Sequence, residues 1–132
     1  MPISFENSDD LLMNSSIGIH FVSSEGVVLY ANQHELDLLG YDREEYVGHH
    51  VSEFQLDGDV LDDLMSRLVA NEPLKNYPAR VRGKLGTKYM LYNSNVYRED
   101  GHFVHTRCFS TDIDVEVYDV MKATSKYFRP SS

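Results

Sequence analysis

The feature that most constrains the fold of this chain is residues 32–54, which carry the start and stop signals of two short helices. Asn32 is a favourable N-cap for a helix over Gln33–Leu39, because its side-chain oxygen can accept a backbone N–H of the first turn. Gly40 can take the left-handed conformation that ends such a helix. A helix this short is marginal alone and must be held by other elements. The sequence therefore predicts a connector inside an α+β domain.

The second helix signal begins at Asp42, where Asp-Arg-Glu-Glu forms a capping box with Glu45 at the third helical position. Tyr41 and Tyr46 flank the box at the positions of a hydrophobic staple. Gly48 then ends the helix almost at once. This helix, too, is stable only if a sheet lies beside it.

Length, charge and cysteine content exclude several classes of protein. With 132 residues the chain is long enough for one core and too short for two. Its net charge of −9 argues against a nucleic-acid-binding protein, which needs a basic face. No apolar run approaches the roughly 18 residues of a membrane span, and no signal-peptide pattern opens the chain. The single cysteine, Cys108, excludes an internal disulfide bond and fits a reducing compartment, so we expect a cytoplasmic protein.

Strand signals lie on either side of the connector. Residues 17–23 and 27–31 are rich in β-branched and aromatic side chains and flank a turn, so they predict a β-hairpin. Three further strands are predicted at residues 77–82, 87–98 and 102–111, with a tight turn between the last two. Pro78 cannot donate to a β-ladder, which suits an edge strand or a strand start.

Helices are predicted before and after these strands. Residues 59–70 carry apolar side chains at helical spacing, with Asp57 or Asp59 as the cap. Residues 4–16 form either a short helix around Leu11-Leu12-Met13 or a frayed leader.

A C-terminal helix begins after Asp114 and ends near Phe128. We expect Asp114 to cap it by accepting a backbone N–H near Glu116 or Val117. Asp112 and Asp114 should then couple the last strand to this helix.

Three motifs follow one another from the end of the hairpin into the connector: Tyr30-Ala31-Asn32, Glu35-Leu36-Asp37-Leu38-Leu39-Gly40-Tyr41 and Glu44-Glu45-Tyr46-Val47-Gly48. In this order they resemble the PAS sensor domains, and the resemblance spans about residues 17–114. It implies a PAS fold, with a five-stranded antiparallel sheet, connector helices on one face and flanking N- and C-terminal helices. The chain then divides into an N-terminal helix (1–16), the PAS domain (17–113) and a C-terminal helix and tail (114–132).

The resemblance implies a pocket between the sheet and the helix at 59–70. Counting back from Asp112 by twos, as in relatives, turns one set of side chains inward: His20, Val22, Met90, Tyr92, Ser94, Val104, Thr106, Cys108 and Ser110. A slip of one residue would reverse all of them. Such a mixed lining suits a small ligand with a polar head. Alternatively, these groups bond one another and leave no cavity.

A cofactor has less support in the sequence. Flavin-binding, light-sensing relatives carry an Asn-Cys-Arg motif after the connector helices, and residues 48–55 contain no cysteine. Haem-binding relatives often take their ligand from the long helix, and residues 59–70 contain no histidine or cysteine. A haem or flavin receptor is therefore the alternative, and we expect no cofactor.

The remaining reactive side chains have simpler interpretations. His49 and His50 are adjacent and do not form a metal site, because neighbouring residues do not share a face. Cys108 is interpreted as a small buried hydrophobe rather than a reactive thiol. The carboxylates are interpreted as solvated surface groups. No catalytic motif is present, so we do not expect an enzyme.

The implied function is a sensory and protein-interaction module. It would relay a signal, by small-ligand binding or dimerisation or both, to a histidine kinase or another signalling protein. The same register turns Leu91, Asn93, His105, Arg107 and Phe109 outward, which leaves an apolar patch that needs cover. We expect a homodimer through this face and the N-terminal helix. The alternative is a monomer whose helix covers its own sheet.

Overall fold

The structure, a computed structural model, describes residues 8–128. These residues contain five β-strands and five α-helices. The strands are β1 (Gly18–Val22), β2 (Val28–Ala31), β3 (Leu74–Gly83), β4 (Gly86–Glu99) and β5 (His102–Asp112). The α-helices are α1 (Ser8–Met13), α2 (Gln33–Leu39), α3 (Arg43–Tyr46), α4 (Gly58–Val69) and α5 (Val115–Thr124), and a 3₁₀ turn occupies Val51–Glu53. The predicted N-terminal helix starts at residue 4, so its residues 4–7 lie outside the described residues, as does the predicted tail at 129–132.

The strands form one antiparallel sheet in the order β2-β1-β5-β4-β3. The predicted hairpins and the five-stranded antiparallel sheet are confirmed. The register sets His20 opposite Cys108 in the β1–β5 pair and Tyr92 opposite Ser110 in the β4–β5 pair. Pro78 lies in β3, an edge strand, as predicted. Side chains from the two ends of the sequence therefore meet on one face of the sheet, which we call the inner face.

Asn32 ties the N-terminal elements together. Its side-chain oxygen accepts from Glu35 N at 2.9 Å, as predicted for the N-cap of α2, and from Ile19 N at 2.9 Å. Its amide nitrogen donates to the carbonyl oxygens of Leu12 and Ile17, each at 2.9 Å. One fully buried side chain thus fixes α1, β1 and α2 relative to one another.

The other predicted connector signals are also confirmed. Gly40 ends α2 with a φ of 81°, in the left-handed region. Asp42 N donates to Glu45 Oε1 at 2.9 Å, which is one half of the capping box of α3. The rings of Tyr41 and Tyr46 stack across this start with centroids 6.2 Å apart.

The connector reaches both edges of the sheet. Gly48 N donates to Val28 O at 2.7 Å, and Val28 N donates to His49 O at 2.9 Å, so this part pairs with β2. At the opposite edge, Arg82 N of β3 donates to Phe54 O at 2.6 Å. The connector therefore crosses the inner face from one edge strand to the other.

Helix α4 covers the inner face with Val60, Leu64 and Leu68, all of which are buried. Asp57 occupies its N-cap position, but its side chain makes no capping hydrogen bond. Instead its carboxylate binds the guanidinium of Arg80, with Oδ1 2.7 Å from Nη2. Asp57 therefore occupies a predicted cap position but does not make the capping hydrogen bond, because Arg80 on β3 binds its carboxylate.

Helix α5 starts where predicted and ends earlier, at Thr124. Asp114 is its N-cap residue, but its side chain makes no capping hydrogen bond, which contradicts our expectation. The helix is held to the sheet by Tyr118, whose buried ring lies 5.0 Å from that of Tyr89. Beyond the helix, the ring of Tyr127 lies 4.8 Å from that of Tyr77. Aromatic contacts, and not a carboxylate cap, join this segment to the domain.

No helix within residues 8–128 has both the length and the apolar character needed to cross a membrane.

Candidate functional site

Eight of the nine residues predicted to face inward lie buried on the inner face: His20, Val22, Met90, Tyr92, Ser94, Thr106, Cys108 and Ser110. The predicted register is therefore correct, while their role in ligand binding stays a prediction. Val104, the next residue in the same alternation, is 36% exposed near the β4–β5 turn, so it does not belong to the interior.

An ion pair lies at the centre of this interior. His20 Nδ1 is 3.0 Å from Glu35 Oε2, and the two residues are only 6% and 1% exposed. Tyr46 donates its hydroxyl to the same carboxylate oxygen at 3.2 Å. Helix α2 brings Glu35 into place, because its N-cap Asn32 anchors the first turn against β1.

Glu35 is the site residue that the sequence interpretation missed. Its carboxylate is not a solvated surface group, so that interpretation is wrong for this residue. The signal was present: Asn32, Glu35, Leu36 and Leu39 recur at the spacing of one helix face, and all four are buried. A carboxylate on an apolar helix face needs a buried cation, and His20 is that cation.

The charges of this pair stabilise each other. Burial acts to lower the pKa of His20, but the negative charges of Cys108 and Glu35 outweigh it and raise the pKa to about 10. Burial acts to raise the pKa of Glu35, but the charge of His20 and hydrogen bonds from His20 and Tyr46 lower it. At neutral pH the interior therefore holds an imidazolium and a carboxylate.

Cys108 joins the same group of polar side chains. It lies directly across from His20 in the ladder, and Ser94 donates its hydroxyl to Cys108 Sγ at 3.1 Å. Thr106 Oγ1 lies 3.5 Å from the sulfur and accepts from Val22 N at 2.9 Å. Cys108 is buried, as predicted, and the hydroxyls of Ser94 and Thr106 lie beside its sulfur.

These neighbours change the chemistry of the thiol. Burial is the largest single effect and acts to raise the pKa of Cys108. The charge of His20 and hydrogen bonds with His20, Ser94 and Thr106 together outweigh it, so the pKa is lowered.

An inner cavity of about 30 Å³ adjoins this group. Its polar walls are His20, Tyr92, Cys108 and Gln55, and its apolar walls come mainly from α4. Gln55 donates its amide to Tyr92 Oη at 3.2 Å, while its shielded Oε1 has no partner among the described residues. The space holds about two water-sized molecules. Both expectations are thus partly met: the polar groups bond one another, and a small cavity remains.

A second, more open cavity of about 190 Å³ lies between the β1–β2 turn and α4. Val51, Leu61 and Met65 line both cavities and separate them. Of these, the half-buried Met65 has the most adaptable side chain.

Two histidines of the connector, His49 and His50, make local hydrogen bonds. His49 Nδ1 lies 3.2 Å from the carboxylate of Glu53, and His50 Nδ1 lies 2.8 Å from Ser52 Oγ. Within residues 8–128 no three histidine, cysteine or acidic side chains are arranged to hold a metal ion.

The outer face of the sheet carries the predicted outward residues Leu91, Asn93, His105, Arg107 and Phe109, which are half-buried or exposed. Phe21 stacks on His105 with ring centroids 4.3 Å apart. Helix α1 lies at one end of this face, and an open groove of about 440 Å³ remains beside it. The groove is lined by Leu11, Leu12, Ile17, Ile19 and Phe109, among others.

The comparisons with known proteins agree with this architecture. A family model described as the PAS fold matches residues 12–114. The chain belongs to the PAS-fold family. No curated protein matches it.

Three solved structures share this fold. The PAS domain of an HTR-like protein from Haloarcula marismortui is 23% identical, with a TM-score of 0.68 over 80% of this chain and 88% of that one. A light-oxygen-voltage domain is 16% identical, with a TM-score of 0.75 over 91% and 94%. A domain of a sensor histidine kinase/response regulator from Geobacter sulfurreducens is 20% identical, with a TM-score of 0.67 over 79% and 90%. At these identities the likeness shows the fold alone.

Proposed function

We propose that this PAS domain is a non-catalytic sensory and protein-interaction module whose signal arrives at the buried cluster of His20, Glu35, Tyr46, Tyr92 and Cys108. The observation that carries the proposal is a buried ion pair beside a small cavity. Buried charges are costly and are commonly retained at functional sites. The signal is a small polar molecule, because the cavity is small and its free groups are polar.

Helix α4 is the element that would pass the signal on. One face of α4 lines the cavity through Leu61 and Leu64. On another face, Arg67 Nε donates to Asp63 Oδ2 at 2.8 Å, and its guanidinium lies 4.9 Å from the centroid of Tyr127. A ligand that displaces α4 would therefore also displace the segment after α5.

The proposed downstream partner is a histidine kinase or another signalling protein in the cytoplasm, where the single cysteine would stay reduced. Support comes from one structural neighbour, which is a domain of a sensor histidine kinase/response regulator. This part of the proposal rests on analogy with that neighbour.

We also propose a homodimer formed through the groove beside α1. Leu11 is 55% exposed and Ile17 is 36% exposed along this groove. Apolar side chains grouped in this way favour burial against a second copy.

A haem or flavin fits these residues poorly. Pockets for drug-sized ligands are about 300–1,000 Å³, whereas the inner cavity is about 30 Å³. The one histidine on its wall, His20, is bound to Glu35. The inner cavity therefore does not support the alternative of a haem or flavin receptor.

Native mass spectrometry of the protein purified from its own host tests the proposal, because it reports added mass and oligomeric state together. We expect a dimer that carries added small-molecule mass in the natural protein. That mass should be lost in His20→Gln and kept in His105→Gln, a matched change on the outer face. The absence of added mass from all three proteins would contradict the sensory role of the cluster.

A further inference from the structure

In the buried cluster a thiol lies beside an imidazole, and the imidazole in turn binds a carboxylate. Cys108 lies opposite His20 in the β1–β5 ladder, and His20 in turn binds Glu35 at 3.0 Å. An imidazolium beside a cysteine stabilises the thiolate, which is the nucleophilic form of the side chain. The carboxylate keeps the imidazole protonated and fixes its orientation. This arrangement differs from that of a structural cysteine packed among apolar side chains.

We propose that Cys108 is a peroxide-reactive thiol, which hydrogen peroxide in the inner cavity oxidises to a sulfenic acid. The inference rests on the proposed function, because it names the signal that the buried cluster would receive.

The cavity matches this oxidant in size and in polarity. Its volume of about 30 Å³ admits a molecule of two oxygen atoms and excludes bulky hydroperoxides. Gln55 Oε1 is shielded from solvent and has no donor among the described residues, so it can accept from one peroxide hydroxyl. Tyr92 already accepts from Gln55, which leaves its own hydroxyl proton to donate. Thiol, acceptor and donor all line the same space.

A second buried oxygen is also without a partner. Glu35 is 1% exposed, and its Oε1 finds no donor among residues 8–128. The cluster therefore keeps unused acceptor capacity close to the ion pair, which is costly in a site that serves stability alone.

The reaction balances with the groups present. The Cys108 thiolate attacks one peroxide oxygen, so an S–O bond forms and the O–O bond breaks. The leaving hydroxide takes a proton from the His20 imidazolium and departs as water. The sulfur is oxidised to the sulfenic acid, and the peroxide oxygens are reduced to the level of water and hydroxyl.

The reaction would change the charges of the interior. Both the thiolate and the imidazolium become neutral, and the Glu35 carboxylate loses its cation. A buried carboxylate without a cation is strongly disfavoured. The cluster must then take up a proton or rearrange, and α2 and α4 are the helices that pack around it. Oxidation is thus converted into a structural change.

The test exposes the full chain to hydrogen peroxide for timed intervals, removes the peroxide and then unfolds the chain in urea with dimedone, so that intact mass spectrometry measures the sulfenic acid formed. Because Cys108 is the only cysteine, each adduct reports on this site. We expect native protein to react faster with hydrogen peroxide than the same chain unfolded in urea, although the thiol is buried in the native state. His20→Gln should slow the native reaction at least about tenfold, since an unassisted thiol is only a few per cent ionised at neutral pH. His105→Gln, the matched change on the outer face, should leave the rate unchanged.

Two results would overturn the proposal. One is a native rate at or below the rate of the unfolded chain. The other is a folded His20→Gln protein that reacts as fast as the natural protein. If His20→Gln does not fold, Glu35→Gln takes its place and should also slow the reaction. Non-covalent ligand binding and dimerisation are measured separately, so failure of the peroxide reaction leaves the proposed sensory function standing.

Discussion

A Cβ atom on Gly18 would lie 2.5 Å from Oε1 of Glu35, so the carboxylate occupies the space that any side chain at position 18 would need. Strand β1 and helix α2 approach each other closely at this point. The bare backbone of Gly18 allows the carboxylate to reach His20 on the same strand. The charged interior thus depends on a residue that has no functional group.

Gly18→Ala should therefore lower the free energy of unfolding by about 1–3 kcal/mol, the usual cost of overpacking a core. Urea unfolding followed by circular dichroism measures this change. Gly58→Ala is the control, because a Cβ atom there has no neighbour within 4 Å. Equal stability of the two variants would contradict the close approach.

The ion pair predicts a loss of stability in alkaline solution. The pKa of His20 is about 10 in the folded domain, compared with 6.5 for an unperturbed imidazole. Between these values the folded state binds more protons than the unfolded state, so the free energy of unfolding falls as pH rises. The slope from this group is up to about 1.4 kcal/mol per pH unit.

Urea unfolding between about pH 6.5 and pH 10 checks this slope. His20→Gln should have a smaller slope than the natural protein, because it removes the proton that the folded state retains. Equal slopes in the two proteins would show that His20 is not protonated in the folded domain.

Met65 should control access to Cys108. Truncating it in Met65→Ala joins the two cavities, so the native rate of alkylation of Cys108 by iodoacetamide should rise. A rise of about tenfold corresponds to an opening free energy lower by about 1.4 kcal/mol. Val69→Ala on the same helix is the control, because Val69 is 56% exposed and lines neither cavity. If both variants react at the natural rate, access follows another route.

Tyr118 rather than Asp114 should hold helix α5 to the sheet. Tyr118→Ala removes a buried ring and should expose the amides of Val115–Thr124 to hydrogen exchange, with a local loss of about 3 kcal/mol. Asp114→Ala removes only a charge near the helix start and should cost less than about 1 kcal/mol. Exchange mass spectrometry compares the two variants. The opposite order would show that the carboxylate is the coupling element after all.

The proposed homodimer should depend on Leu11. Leu11→Asp places a charge in the groove beside α1 and should convert the dimer to monomer at equal protein concentration. Leu85→Asp is the control, because Leu85 is 96% exposed in the β3–β4 turn, away from the groove. Light scattering over a dilution series measures the mass. A monomer at every concentration for the natural chain would contradict the dimer.

Much of the fold could be predicted because the signals in the sequence are local. Asn32, Gly40 and the capping box at Asp42 mark helix ends through hydrogen bonds to their own neighbours. Strand β3 was harder: it begins at Leu74, before the predicted residue 77, because Asn76 has a φ of 51° at an irregularity that interrupts the alternation.

The chemistry of the site was less accessible because it depends on contacts between distant residues. Period-two alternation places His20 and Cys108 inside, but only the pairing of β1 with β5 sets them opposite each other. At Asp114 a local signal was present in the sequence, but the contact that it predicted does not form. A good capping residue stands in the right place, yet the helix is held by the ring of Tyr118.

The connector that crosses the inner face pairs with part of each edge strand of the sheet. Gly48 and His49 bond to β2, and Phe54 bonds to β3, where Pro78 also lacks a backbone donor. Exposed edges are where strands of separate molecules join into aggregates. Where the connector is bonded to an edge strand, those backbone groups cannot pair with a strand of a second molecule. The paired parts of both edges therefore favour association through side-chain surfaces, whose contacts form and release reversibly.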